Sequence, residues 1–231
     1  MNTQMKINTY STHTKLVMNN SVANVLNPSF FEEFSAHITQ IDSNKNLIIT
    51  GNGRFFSSGL DLFHINDFNH DEIIQFMSKF ESMLELILER KGKTIAHING
   101  HTVAGGFILA SACDKVYCTP GKYKLGMNEE KLGIKLPPLA QAIIQCTFRD
   151  DMNKILCNDN FYIPEEMDQF GHFTTQEVLF DDITKDEKRM EGIQLFMDTQ
   201  KEKQMDIFLN SWFSKKSITA RNIAVESLKK R

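Results

Sequence analysis

Short apolar runs and longer amphipathic stretches take turns along the chain. "TKLVMNN", "NLIITGNG" and "TIAHING" have the length and β-branched content of strands, each closing on polar or glycine residues. Between the first two, "NPSFFEEFSAHITQID" places apolar residues at helical spacing, with Asn27 or Ser29 available as its N-cap. "DEIIQFMSKFESMLELILER" predicts a helix with Ile73, Phe76, Phe80, Met83, Leu84 and Ile87 as its buried stripe. "FILASAC" reads as a small-residue helix, and "KVYC" and "YKLG" as short strands around the turn signal Pro120-Gly121. Strand, helix, strand, helix, strand is the order of an α/β fold with crossover connections.

Past about residue 140 the strand signals fade. "DEKRMEGIQLFMDTQKEKQMDIFLNSWF" predicts a helix with Ile193, Phe196 and Met197 on its apolar stripe. "ITARNIAVESLKKR" predicts another, with Ile218, Ile223 and Leu228 on its apolar stripe. Such stripes bury themselves either on the chain's own core or on another subunit, and periodicity does not choose between the two.

At 231 residues with no Gly/Ser/Pro-rich linker, the chain has length for one main domain. No apolar run is long enough to cross a bilayer, so no membrane role is expected. A net charge of −3 and a pI near 6.2 give no basic field for nucleic acid. Any anionic partner must be held locally. Cys113, Cys118, Cys146 and Cys157 lack paired CxxC spacing and read as reduced, mostly buried thiols. The N-terminal segment is rich in Ser, Thr and Asn but has no arginine, and "SLKKR" matches no peroxisomal or ER signal, which leaves the cytoplasm as the default.

Gly105 and Gly106 stand where a helix should start. They permit a positive φ or close packing, or they expose backbone N–H groups at a helix N-terminus, where donors lack partners and negative charge is favoured. A second stretch, "GNGRFFSSGLDL", also ends an apolar strand and places Gly59 after two serines, with Asp61 set for a turn or cap. Two N–H groups converging on one carbonyl oxygen stabilise an enolate or a tetrahedral oxyanion.

"GRFFSSGLDL", "KTIAHINGHTVAGGFILASACDKVYC" and "LGMNEEKLGIKLPP" resemble, in order and spacing, the three signature blocks of the enoyl-CoA hydratase/isomerase (crotonase) superfamily, and "SVANVL" is similar to its early "vNaL" segment. The resemblance implies a crotonase (ClpP-like) α/β fold with a repeated ββα core over residues 1–185. It implies a C-terminal helical region, 186–231, that packs between subunits of a homotrimer or a dimer of trimers. The implied ligand is an acyl-CoA thioester whose carbonyl accepts from the N–H groups of Leu60 and Gly105. Ser58, Gly59, Asp61, Leu62, Gly106 and Ile108 would surround it, and Arg54 would meet a CoA phosphate or be an exposed loop arginine.

The same resemblance separates the reactions. Hydratases carry one glutamate in the helix after the glycine pair and another in the third block; here the first position is Ile108, which can neither hold water nor accept a proton. The second position matches Glu129, as in Δ3,Δ2-enoyl-CoA isomerases, where one glutamate is the base; Glu130 is its neighbour. One carboxylate is enough to shift a double bond, and burial should raise its pKa from about 4.3. No metal or redox cofactor is implied, and CoA belongs to the substrate. Rival readings are hydration, thioester hydrolysis or decarboxylation, and a non-catalytic acyl-CoA-binding protein.

Three features invite other readings. His97 and His101 are four apart, but Asn99-Gly100 separates them on a strand and loop, which is poor geometry for zinc. The lysines of "KYKLGMNEEKLGIK" are interrupted by acids and read as a solvated face. Trp212 beside Phe213 reads as a helix packing contact. After the third block, "CNDNFYIPEEMDQFGHFTTQEVLFD" and Thr94 in "KTIA" depart from the family pattern.

Overall fold

The computed structural model describes residues 4–157 and 161–230. An antiparallel pair, β1 (Lys6–Thr9) and β2 (His13–Met18), precedes α1 (Pro28–Gln40). Asn27 is the cap of α1: its Oδ1 accepts the Phe30 N–H at 3.0 Å, and Pro28 loses nothing at the first helical position. Phe30, Phe31, Phe34 and Ile38 are the face that α1 buries.

Three strand–strand–helix units follow. β3 (Asn46–Gly51) and β4 (Phe55–Ser57) lead through the short α2 (Leu62–Ile65) to α3 (His70–Leu88). β5 (Thr94–Ile98) and β6 (His101–Val103) lead to α4 (Gly105–Ala112). β7 (Lys115–Cys118) and β8 (Leu125–Gly126) lead to α5 (Pro138–Phe148). Then come α6 (Met152–Leu156), α7 (Pro164–Met167), β9 (Phe173–Thr174), the long α8 (Glu187–Trp212) and α9 (Lys215–Lys229). The first strand of each unit joins a six-stranded sheet ordered β1-β2-β3-β5-β7-β9, and the second joins a three-stranded sheet ordered β4-β6-β8. This repeated ββα architecture is the crotonase fold.

Every pairing beyond β1–β2 is parallel, so the helices cover the sheet faces. That explains the near-continuous apolar run of β5, whose Thr94, Ile95, Ala96 and Ile98 are buried between β3 and β7. The predicted α3 stripe is buried in full. Its start is a capping box: Asn69 Oδ1 accepts from Glu72 N–H, and Glu72 Oε2 accepts from Asn69 N–H at 2.8 Å. α5 begins at Pro137-Pro138 with no side-chain cap of its own, and the buried Glu81 of α3 accepts the Leu139 N–H at 2.8 Å instead.

One expectation needs correction: "YKLG" contributes only Leu125–Gly126 as strand. On α9, Ile218, Ile223 and Leu228 are exposed on the single chain; the positions it buries on its own core are Ser217, Arg221 and Val225. The phase is set by polar contacts that an apolar-stripe argument does not see. Ser214 Oγ caps the helix at Ser217 N–H, and Arg221 donates to Asn66 O at 3.2 Å and Trp212 O at 3.1 Å. On α8, Ile193 is buried, and Phe196 and Met197 pack against the core. All four cysteines are free thiols; Cys113 and Cys118 are buried, Cys146 is intermediate and Cys157 is exposed. Among the described residues no helix is long and apolar enough to cross a membrane.

Candidate active site

The end of β4 is clamped by the segment before α1. Asn24, fully buried and at φ 45°, donates from Nδ2 to Met18 O, Phe55 O and Phe56 O, while its own carbonyl accepts from Ser57 Oγ at 2.8 Å. Ser58 N–H goes to Ala23 O, Leu26 N–H to Gly59 O and Asp61 N–H to Leu26 O. This bridge uses the groups on either side of Leu60 and leaves the Leu60 N–H without a hydrogen-bond partner among the described residues. Gly59 holds φ +88°, a left-handed value that a side chain would strain.

The second strand end is the start of α4. The residue before it, Ala104, is at φ 52°, ψ −127°, a conformation that non-glycine residues rarely hold. Its carbonyl accepts from Phe107 and Ile108 N–H, so the helix opens with the Gly105 N–H unused among the described residues. The two glycines do different work. A β-carbon on Gly106 would lie 2.6 Å from Ser57 O, so this glycine lets α4 press onto β4. A β-carbon on Gly105 would meet Leu26 and Leu60 side chains at 3.1–3.3 Å. Gly59 faces the same point, since a β-carbon there would lie 3.1 Å from Gly105 N. Gly59 and the start of α4 thus lie together where the two strand ends meet.

Glu129 lies in the loop after β8. Asn128 N–H donates to its Oε2 at 2.9 Å, and its own carbonyl accepts from Ile134 N–H at 2.9 Å, which closes the loop into a tight turn. The residue is half-buried, and its carboxyl is drawn into the interior, where burial pushes its pKa up to about 7 against the pull of two backbone N–H groups. The neighbouring Glu130 is exposed and pairs with Lys135 at 3.7 Å. Asn128 adds a buried Oδ1 with no hydrogen-bond partner among the described residues.

These pieces enclose a small cavity of about 80 Å³. Ser58, Leu60, Leu62, Ile108 and Glu129, all singled out from sequence, line it, with Ala104 and Asn128 beside them. Gly59, Gly105 and Gly106 stand behind that wall, where they shape the backbone. Arg54 and Asp61 are not in the lining. Arg54 is exposed in the turn between β3 and β4, and its carbonyl accepts from His101 N–H. Asp61 caps α2 through His64 N–H at 3.2 Å. The rest of the wall is mostly apolar, with Ile65 from α2, Met77 and Phe80 from α3, Leu132, Ile134, Leu136 and Pro137 from the loop before α5, and Phe208 and Trp212 from α8; Lys135 adds one charged side chain. Sequence reading missed Ala104, Asn128 and Trp212. Only Trp212 carried a signal, as a large side chain late in an amphipathic helix.

A larger groove of about 830 Å³ runs between Lys115, Arg149, Asp186 and Arg189 on another face. It is open to solvent, and its charges engage one another, as in Arg149–Asp186 at 2.8 Å. None of the cavity residues above borders it. His97 and His101 are likewise engaged elsewhere: His97 Nε2 with Thr119 Oγ1, and His101 Nδ1 as acceptor from Lys124 N–H.

Fold and cavity together define a crotonase-type scaffold. The family model for enoyl-CoA hydratase/isomerase matches residues 9–171, and the chain belongs to that family. It is 34% identical over 101 residues to enoyl-CoA delta isomerase 3 of Arabidopsis thaliana, covering 42% of each protein. It is 32% identical over 123 residues to a probable enoyl-CoA hydratase of Bacillus subtilis, covering 52% of this chain and 47% of that one. The matched stretch thus spans less than half the length of these relatives. In fold it is similar to human mitochondrial delta3-delta2-enoyl-CoA isomerase, with a TM-score of 0.82 at 18% identity over 98% of each chain.

Proposed function

We propose that this protein is an enoyl-CoA isomerase that moves the double bond of a 3-enoyl thioester to the 2-position. Glu129 takes a proton from C2, the enolate oxygen is held by the N–H groups of Leu60 and Gly105, and the same carboxyl returns the proton at C4. The observation that carries this reading is the lone carboxylate: Glu129 is the one carboxylate lining the cavity among the described residues, with Ile108 where a second would serve a hydratase. A carboxyl raised to about 7 suits the task, since about half of it is ionised at neutral pH and the ionised form is more basic than an ordinary carboxylate. The assembly proposed with it is a homotrimer or a dimer of trimers, and no metal or redox cofactor enters the step.

The test is to follow a 3-enoyl-CoA to its conjugated 2-enoyl isomer while measuring binding of a saturated acyl-CoA. Turnover with binding supports the isomerase. Binding without turnover across chain lengths supports a non-catalytic acyl-CoA-binding protein instead.

Asn128 favours a second reading, hydration of a 2-enoyl thioester. Its unpartnered Oδ1 is an acceptor in the same cavity as Glu129, and a water held between the two acceptors would be placed to add.

A further inference from the structure

The walls of the cavity differ in how firmly they are held. Leu60, Leu62 and Leu132 are half-buried and Lys135 is exposed, with its Nζ 3.7 Å from Glu130, so this side meets solvent. Ser58, Asn128 and Glu129 give the space its polar groups. The wall supplied by α2, α3 and α8 is different: Ile65, Met77, Phe80, Phe208 and Trp212 are each 2% exposed or less. Two contacts fix the Trp212 ring. Phe208 packs against it with centroids 5.9 Å apart, and the Arg221 guanidinium lies 3.7 Å from its centroid. Arg221 is itself 2% exposed and donates to Asn66 O and Trp212 O.

A close-packed wall of this kind does not yield to a longer ligand without cost. A chain that pushed the indole aside would also unstack a buried guanidinium, and a buried charge stripped of its contacts is expensive. The free space is therefore the space available. A dry cavity of about 150 Å³ takes a benzene. At about 80 Å³ this one takes roughly three or four carbons. On the acyl-thioester reading those are already spoken for, because C2 to C4 must lie beside Glu129, which lines the same space.

We propose that the substrates of this cavity are short acyl thioesters of about four to six carbons, and that Met77 and Trp212 set that length by closing the wall opposite the solvent side. Met77 does so from α3 and Trp212 from the end of α8, so two independent elements carry the limit. This rests on the acyl-thioester reading of the cavity, and not on which reaction follows.

The experiment is calorimetry on the full chain with saturated butanoyl-, hexanoyl-, octanoyl- and decanoyl-CoA, for the native protein, Met77→Ala and Trp212→Phe, with a thermal melt of each variant. In a pocket open at its far end, each added pair of methylenes would tighten binding roughly tenfold. The native protein gains that step up to hexanoyl-CoA and nothing beyond it, and a folded Met77→Ala or Trp212→Phe recovers it at octanoyl-CoA. A native affinity that keeps climbing roughly tenfold per pair through decanoyl-CoA overturns the proposal, whether or not the variants fold. A native plateau that neither folded variant extends overturns the assignment to Met77 and Trp212. Saturated thioesters are not isomerised, so a silent isomerase assay leaves this result intact, whereas no binding at any length removes the thioester reading and this inference with it.

Discussion

A β-carbon on Gly59 would stand 3.1 Å from the amide nitrogen of Gly105. The two glycines end different strands, β4 and β6, and they are brought together because those strands pair in parallel within the small sheet. The closeness leaves no room for a side chain at Gly59.

Gly59→Ala therefore carries a sharp expectation. The new methyl sits against Ala104 and the Gly105 amide, and the φ of +88° adds roughly 1–2 kcal/mol of strain. Loss of one oxyanion donor typically lowers kcat by about 10²-fold or more. Steady-state kinetics beside a thermal melt separate the two effects; a lower melting temperature with kcat unchanged would remove this point from the oxyanion site.

Ala104 stores strain of a different kind. At φ 52°, ψ −127° it sits in a region that glycine holds freely, so Ala104→Gly should stabilise the fold by about 1 kcal/mol, or roughly 2–4 °C in Tm for a chain of this size. Differential scanning calorimetry checks this, and a fall in Tm would mean that the Ala104 methyl contributes more in packing than its backbone costs.

The Glu129 carboxyl predicts a pH-dependent stability. Its folded pKa, about 7, lies above its ordinary value of 4.5, so the folded state binds the proton more tightly than the unfolded chain. Wild-type stability is then lost as pH rises through that window. Glu129→Gln carries no charge to bury, so its Tm advantage over wild type should be small near pH 4.5 and grow to a plateau above pH 7. Paired melts across that range decide it, and a constant difference would mean that the carboxyl is not held in the interior.

Asn128 separates the two reactions. If its Oδ1 orients a water, Asn128→Ala should lower any hydration of 2-enoyl-CoA about tenfold while isomerisation of 3-enoyl-CoA falls much less. Measuring both products from one preparation tests it; an equal loss of both would mean that the Asn128 side chain supports the loop rather than a water.

Much of the fold was legible because its elements are set by local periodicity and caps. The α3 stripe, the Asn27 cap and the apolar run of β5 need only the sequence within each element. The buried face of α9 was not legible, because Arg221 is held there by contacts with Asn66 and Trp212 of other elements. Within the site, the glycine-marked strand ends and Glu129 could be seen as motifs. Ala104 could not, since its strain is a backbone angle with no residue-type signature. Arg54 and Asp61, singled out by position in a block, lie outside the cavity lining: Arg54 sits in an exposed turn and Asp61 caps α2.

The most direct test of the account is kcat/KM for a 3-enoyl-CoA against pH, for wild type and for Glu129→Gln, with acyl-CoA binding measured on both. A single ionised base predicts a wild-type rate that climbs about tenfold per unit below pH 7 and levels above it. It also predicts that Glu129→Gln binds the thioester but has lost at least about 10³-fold in rate at every pH. A Glu129→Gln protein that binds and turns over like wild type would contradict the account.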